Sequence, residues 1–225
     1  MFAYLQRLLY RYSKRHSRRH LYEWLDEAIR EHCAATPCRT LNIGSGGDIA
    51  AVLHAAGVVP VSVDIDPDRN PDFVMSATDM HEFAESSFDV VFLLEVLEHI
   101  PQPDRAVSEI LRVLKPGGVL IGSTPFLLGI HDAPHDYFRF TGHGLDYLFR
   151  RFEQVTRMNR NGYFDSIHVL CLRPLVVGSP RQIRLATCLF PLLLLMGAVF
   201  WVMERLFPRN DGTTGYFFVF RAPVE

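Results

Sequence analysis

Cysteine is scarce in this sequence. Its 225 residues hold four, Cys33, Cys38, Cys171 and Cys188, and no two form a C-x-x-C pair. A chain of this length with 48% hydrophobic residues can bury a core without disulfide staples. Reduced thiols in a cytosolic protein are therefore expected. His32 adjoins Cys33 and Cys38, but the spacing fits no zinc pattern and no second ligand pair follows, so no metal centre is expected. Net charge is scarce too, at −2, which excludes a chain built throughout as a polyanion binder. Internal repeats and low-complexity stretches are lacking. A secretory signal is not expected either, because Arg7 interrupts the apolar start and no small-residue cleavage site follows.

The charge that is present is unevenly placed. Arg7, Arg11, Lys14, Arg15, Arg18 and Arg19 crowd the first twenty positions, with no acid among them. Tyr4, Leu8, Tyr12, Leu21, Trp24, Leu25 and Ile29 recur at helical spacing, which predicts a helix over 3–31. A basic helix with interleaved aromatics suits a membrane surface or nucleic acid, or else a solvated helix packed on the domain. Thr36-Pro37 ends it.

From there strands and helices alternate. Arg39 to Gly44 reads as a short buried strand and Asp48 to Ala56 as a helix stopped by Gly57. Val58 to Asp64, Phe73 to Ser76 and Phe88 to Leu94 read as further strands, the last a continuous apolar run suited to burial on both faces. Asp104 to Leu114 is a helix, Lys115-Pro-Gly-Gly118 a turn, and Val119 to Ser123 a fifth strand. This alternation predicts an α/β fold with a mostly parallel sheet and helices on both faces. Ligands of such sheets bind beyond the carboxyl ends of the strands.

Two features of the chain suit a nucleoside cofactor. Leu41-Asn-Ile-Gly-Ser-Gly-Gly47 is a glycine loop between a strand and a helix, where a ligand can approach the backbone and meet free N–H groups. Asp64 stands about 20 residues later at a strand end, where a carboxylate can accept both ribose hydroxyls. A dinucleotide loop would carry a third glycine where this chain has Ile49, which weakens an NAD or nucleotide-sugar reading.

The segment 76–124 continues with Ser-Ala-Thr-Asp-Met-His, then Ser-Ser-Phe-Asp-Val-Val-Phe-Leu-Leu-Glu-Val-Leu-Glu-His-Ile, then Glu-Ile-Leu-Arg-Val-Leu-Lys-Pro-Gly-Gly-Val-Leu-Ile. In this order the motifs closely resemble the class I S-adenosylmethionine (SAM)-dependent methyltransferases of the type 11 subgroup, over roughly residues 38–160. The resemblance implies a Rossmann-like sheet whose last strand is antiparallel, and SAM as cofactor. It implies that Gly44, Ser45 and Gly46 line the methionine and ribose end of SAM. Asp64 would hold the ribose, and Ile65 would pack on the adenine. Asp79 would bond the adenine amino group with Met80 beside it, and Leu94 and Glu95 would lie near the methionine moiety. The family often has an acid where this chain has Asn42. The amide loses a charge attraction worth about 1 kcal/mol.

A hydroxyl nucleophile needs a base, and histidine suits that task near neutral pH. The loop after the fifth strand, His131-Asp-Ala-Pro-His-Asp-Tyr-Phe-Arg-Phe-Thr141, offers His131 or His135 as that base. It is similar to a stretch of bacterial methyltransferases that accompany cell-surface glycan enzymes. Tyr137 and Arg139 would orient substrate or loop, and His99 would lie near the cofactor. Alternatively, Asp136 and Arg139 pair internally and Thr141 caps the next helix.

Tyr216 to Arg221 fits the final strand. Before it lies an apolar helical insertion at about 164–208. Leu185 to Met203 is a run of about 19 uncharged residues, near bilayer-spanning length, and Ile167 to Val177 is a second apolar stretch. A true span would strand the last strand across the membrane. A hairpin dipping into one leaflet, a buried hairpin or a dimer contact would not. The organisation expected is a basic amphipathic helix over 1–35 and a methyltransferase domain over 36–225. The protein is expected on the cytoplasmic face of a membrane, peripheral or monotopic. Its acceptor would be a small or lipid-linked molecule (saccharide, quinone or isoprenoid), with no nucleic acid and a homodimer possible. The competing reading is an inactive SAM-fold scaffold.

Overall fold

The computed structural model describes residues 2–18, 20–34, 37–46, 48–173 and 179–224. Arg19, Thr36, Gly47 and the 174–177 end of the second apolar stretch lie outside the described residues. The chain divides into two compact units, one of residues 22–125, 129–158 and 216–225, the other of residues 1–21, 126–128 and 159–215.

The first unit is α/β. Its strands are β1 (Thr40–Ile43), β2 (Val61–Asp64), β3 (Phe73–Val74), β4 (Phe88–Leu94), β5 (Leu114–Pro125), β6 (Glu153–Asn159) and β7 (Gly215–Arg221). They form one sheet in the order β3-β2-β1-β4-β5-β7-β6. β3 through β5 pair in parallel. The Ala222 N–H donates to the Gly118 carbonyl and the Phe126 N–H to the Thr214 carbonyl, so the chain around β7 runs antiparallel to β5. The expected antiparallel last strand is therefore present. The sheet forms here because β4, apart from Asp89, is apolar and buried on both faces, with Phe88, Phe92 and Leu93 fully enclosed. Phe218 and Phe220 of β7 pack on Phe149 with ring centroids 5.3 and 4.7 Å apart.

The Lys-Pro-Gly-Gly segment differs from the expected turn. It lies within β5 as a broad bulge, since Phe88 pairs with Leu114 but Val90 already pairs with Val119. Lys115 is held there by Asp89, whose two carboxylate oxygens lie 2.7 and 2.9 Å from Nζ.

The helix expected over 3–31 is two helices, α1 (Phe2–Ser17) and α2 (Leu21–His32), separated at His20, whose φ is 63°. The α/β unit also holds α3 (Asp48–Ala55), α4 (Pro103–Val113) and α5 (Gly142–Leu148). Thr141 caps α5 by accepting the Gly144 N–H at 3.0 Å.

The second unit is helical and includes α1, α6 (Tyr163–Leu172), α7 (Pro180–Cys188) and α8 (Phe190–Leu206). The uncharged run 185–203 is thus divided, with Leu189 between two helices and Pro191 in the first turn of α8. Among the described residues no helix is long and apolar enough to cross a membrane. One stripe of α8 packs on α6. The Leu193 carbonyl lies 3.0 Å from His168 Nε2, Phe200 lies against the His168 ring, and Glu204 accepts the Phe164 N–H at 2.8 Å. The other side of α8 leaves Leu192, Leu194, Leu195, Val199, Trp201, Val202 and Leu206 exposed.

Candidate functional site

The carboxyl end of β1 turns sharply at Gly44. Its φ is +90°, and a Cβ there would overlap the Val96 Cγ2 methyl, so both backbone and space require glycine. The turn brings the Ser45 N–H to 2.8 Å from Asp64 Oδ2. Asp64 also accepts the Asp66 N–H at 3.0 Å and is only 7% exposed. Its carboxylate thus stands at the end of β2, facing the glycine loop. The Arg69 guanidinium lies over Gly46, 3.7 Å from Asp64. Asn42 Nδ2 donates to the Gly44 carbonyl at 2.7 Å. Its buried Oδ1 has no hydrogen-bond partner among the described residues.

Around this loop the remaining candidates are unequally placed. Ile65 is exposed, as an adenine-facing residue would be before a ligand covers it. Asp79 is exposed, with His81 Nδ1 at 3.3 Å. Met80 is fully buried, and its N–H donates to Glu109 Oε2 at 2.9 Å, so it packs in the core. Leu94 is buried at the end of β4. Glu95 follows in the left-handed region at φ 58°, its Oε1 accepting the Ser123 hydroxyl at 2.9 Å.

A second cluster forms where the short turn after β4 meets the loop after β5. The Glu98 carbonyl accepts the N–H groups of Tyr137 and Phe138 at 2.9 and 3.2 Å, which docks the loop on the turn. The His99 Nδ1 donates to the His135 carbonyl at 2.6 Å. Asp136 is 1% exposed and takes Arg139 through two bonds of 2.5 and 2.6 Å. The Arg139 hydrogen bonds hold the Asp136 carboxyl well below the usual range, at about 2. That carboxylate also accepts the His131 N–H at 2.9 Å and lies 3.4 Å from His131 Nδ1. Burial pushes the His131 pKa down, and Asp136 opposes it.

The structure therefore joins His131, His99 and Arg139 in one cluster. His135 points elsewhere, with its Nδ1 3.1 Å from the Tyr137 hydroxyl. Arg139 organises the loop through Asp136, so the internal pair is present. Sequence reasoning passed over Glu98 and Arg69, and read Asp136 only as an internal partner of Arg139. Glu98 is fully buried and its Oε2 accepts the Thr124 hydroxyl at 3.2 Å. Its signal was an acid among apolar residues next to a histidine. Asp136 orients both His131 and Arg139. Arg69 covers the glycine loop, and nothing in its local sequence marks it.

Residues 41–122 match the family model described as a methyltransferase domain. An uncharacterized methyltransferase of Mycobacterium tuberculosis is 35% identical over 101 residues, 40% of this chain and 40% of that protein. A ubiquinone biosynthesis O-methyltransferase of Dechloromonas aromatica is 26% identical over 149 residues, 52% of this chain and 62% of that protein. The matches thus span only part of the curated relatives' length. Among solved structures, a putative sarcosine dimethylglycine methyltransferase from Galdieria sulphuraria superposes with a TM-score of 0.57 at 18% identity, covering 91% of this chain and 86% of that one. A SAM-dependent methyltransferase from Archaeoglobus fulgidus superposes with a TM-score of 0.57 at 15% identity, covering 89% and 94%. These two likenesses establish the fold, which agrees with the sheet order found here. The likeness to the methyltransferase domain family is thus carried by residues 41–122, the part of the chain that builds β1 through most of β5.

Proposed function

We propose that this protein transfers the methyl group of SAM to a hydroxyl of an amphiphilic or lipid-linked acceptor, at the cytoplasmic face of a membrane. The observation that carries the cofactor half is the polar cradle at the end of β1 and β2. A buried carboxylate at Asp64, a glycine turn at Gly44 and a buried acceptor at Asn42 Oδ1 with no partner among the described residues lie around one loop. These residues fit SAM. Asp64 would accept ribose hydroxyls, and Asn42 Oδ1 would take a donor that the described residues do not provide. Arg69 would swing from Gly46, which its long side chain permits. Bound SAM supplies a sulfonium-activated methyl group.

The chain's own task is then to orient the acceptor and remove its proton. His131 suits that task better than His135. Its lowered pKa keeps the ring neutral and able to accept a proton at pH 7. Asp136, 3.4 Å from Nδ1, stabilises the imidazolium that forms when Nε2 takes the proton. Tyr137 stands at the loop surface, 45% exposed, where it can touch an acceptor.

The amphiphilic acceptor is supported by the exposed apolar side of α8, larger than a water-facing helix ordinarily carries. The relative named for ubiquinone biosynthesis O-methylation supports an acceptor of quinone type.

Calorimetry on detergent-purified protein tests the cofactor site. SAM should bind the wild type and be lost in Asp64→Ala. Failure of the wild type to bind either SAM or its demethylated product would defeat the enzyme reading. Flotation with anionic vesicles tests the surface: the wild type should float, and Leu192→Ser/Leu195→Ser/Trp201→Ser should not. Equal flotation of both, or of neither, would remove the lipid reading.

A further inference from the structure

Glu98, His99 and His131 come together from two separate sequence motifs. His99 Nε2 lies 3.7 Å from Glu98 Oε1, and His131 Nε2 lies 3.8 Å from the same oxygen. The candidate ligand atoms of all three lie within 4.8 Å of one another. The two rings meet edge to face, with centroids 5.0 Å apart. The sequence offers His131 or His135 as a base, whereas the fold sets His131 against His99.

The outer partner of the His99 ring fixes which of its nitrogens carries the proton. A backbone carbonyl can only accept, so the 2.6 Å contact of His99 Nδ1 with the His135 carbonyl puts the proton on Nδ1. At His131 Nδ1 the Asp136 carboxylate and the Arg139 Nη2 donor both stand 3.4 Å away, so these neighbours leave the His131 tautomer free to follow what its Nε2 meets. In the neutral His99 ring Nε2 then presents its lone pair to the Glu98 carboxylate, with His131 Nε2 beside them. A lone pair and a carboxylate oxygen that face each other repel unless a cation or a proton stands between them. A carbonyl behind one ligating imidazole and a carboxylate behind the other is the outer arrangement that metal-bound histidines carry. The arrangement is also built rather than superficial. Glu98 is fully buried, and His99 and His131 are 22% and 32% exposed.

We propose that Glu98, His99 and His131 form a binding site for one divalent first-row transition metal ion. Two imidazoles and one carboxylate suit zinc, iron, cobalt or nickel and discriminate against magnesium and calcium, which want all-oxygen shells. Metal–ligand bonds of about 2.1 Å put ligand atoms roughly 3.0–3.4 Å apart. The carboxylate is already within a few tenths of an ångström of both histidines, and rotation of the partly exposed rings closes the rest. Three protein ligands leave coordination positions open for water or an acceptor oxygen. One nitrogen cannot both hold a metal and accept a proton. In the loaded protein His131 is therefore a ligand and not the base. The site stands whether or not the acceptor proposed above is right.

The test uses the full chain, stripped with a chelator and titrated with Zn²⁺ and Co²⁺. One ion should bind at the site. Co²⁺ there should give ligand-field bands without the thiolate charge-transfer band that Cys33 or Cys38 would produce. His131→Ala and Glu98→Gln should each weaken binding by at least ~100-fold, and Asp136→Asn by ~10–100-fold. Cys33→Ser/Cys38→Ser should leave binding unchanged. Unchanged affinity in His99→Ala and His131→Ala proteins with native circular dichroism would overturn the assignment, because the ion would then sit elsewhere. So would no binding by the wild type at micromolar metal, which would mean that protons hold the three groups together.

Discussion

Asp136→Asn should destabilise the α/β unit more than any change to an exposed ion pair. The carboxylate is 1% exposed and Arg139 22% exposed, so little water screens them. Asn keeps the volume but turns an amide N–H₂ toward the guanidinium. Asp136 titrates at about 2 in the fold against an ordinary 3.8, a depression of nearly two units. At 1.36 kcal/mol per unit this corresponds to about 2.5 kcal/mol. Removing one member of a fully buried pair costs ~3–5 kcal/mol. Partial hydration of Arg139 brings the expected loss down to ~2–3 kcal/mol. The sign with pH follows from the depressed folded value. The stabilisation is complete above the unfolded value near 4 and fades as pH falls toward 2. The gap between wild type and variant should therefore be full at pH 7 and shrink between pH 4 and 2. Urea unfolding read by Trp24, which packs near Phe217 in the same unit, measures it in a Trp201→Phe background. A gap below ~0.5 kcal/mol at pH 7, or one as large at pH 2.5 as at pH 7, would refute the buried-pair reasoning.

Two further outcomes follow from the geometry. Gly44→Ala adds positive-φ strain of ~1–2 kcal/mol and an overlap with the rigid Val96 side chain of ~1–3 kcal/mol. Gly46→Ala meets only the flexible end of Arg69, so thermal unfolding should show a far larger loss for the first. Burial, seconded by neighbouring Cys38, pushes the Cys33 thiol up to about 12, whereas Cys188 is exposed. Iodoacetamide at pH 7.5 should label Cys33 ~1000-fold more slowly than an ordinary thiol, as read by mass spectrometry.

Where the chain could be read from sequence, a single local physical demand decided the outcome. β4 was legible because burial on both faces leaves an apolar run from Val90 to Leu94, with Asp89 alone breaking the strand's apolar character at its start. Thr141 was legible as a cap because its hydroxyl answers a neighbouring N–H. The Lys-Pro-Gly-Gly segment misled because turn chemistry cannot announce that both flanks pair with one strand, and that pairing made it a bulge within β5. The break near His20 was hidden for the converse reason. The apolar spacing continues across it, although Leu9 belongs to the helical unit and Leu25 to the α/β unit.

The histidine cluster was legible only in halves. Each motif presents its own histidines, and spacing along the chain ranks His131 with His135 because both lie in one loop. The ranking fails because the loop is fixed by backbone bonds to the Glu98 carbonyl, a group that no side-chain pattern records. That docking turns His135 outward, spends its carbonyl on His99, and lays His131 against a buried acid. The chemistry of the loop is therefore set by a main-chain contact between residues almost forty positions apart. If this is correct, substitutions at Phe138 that disturb the docking should weaken metal binding without touching any ligand, whereas substitutions at His135 that spare its carbonyl should not.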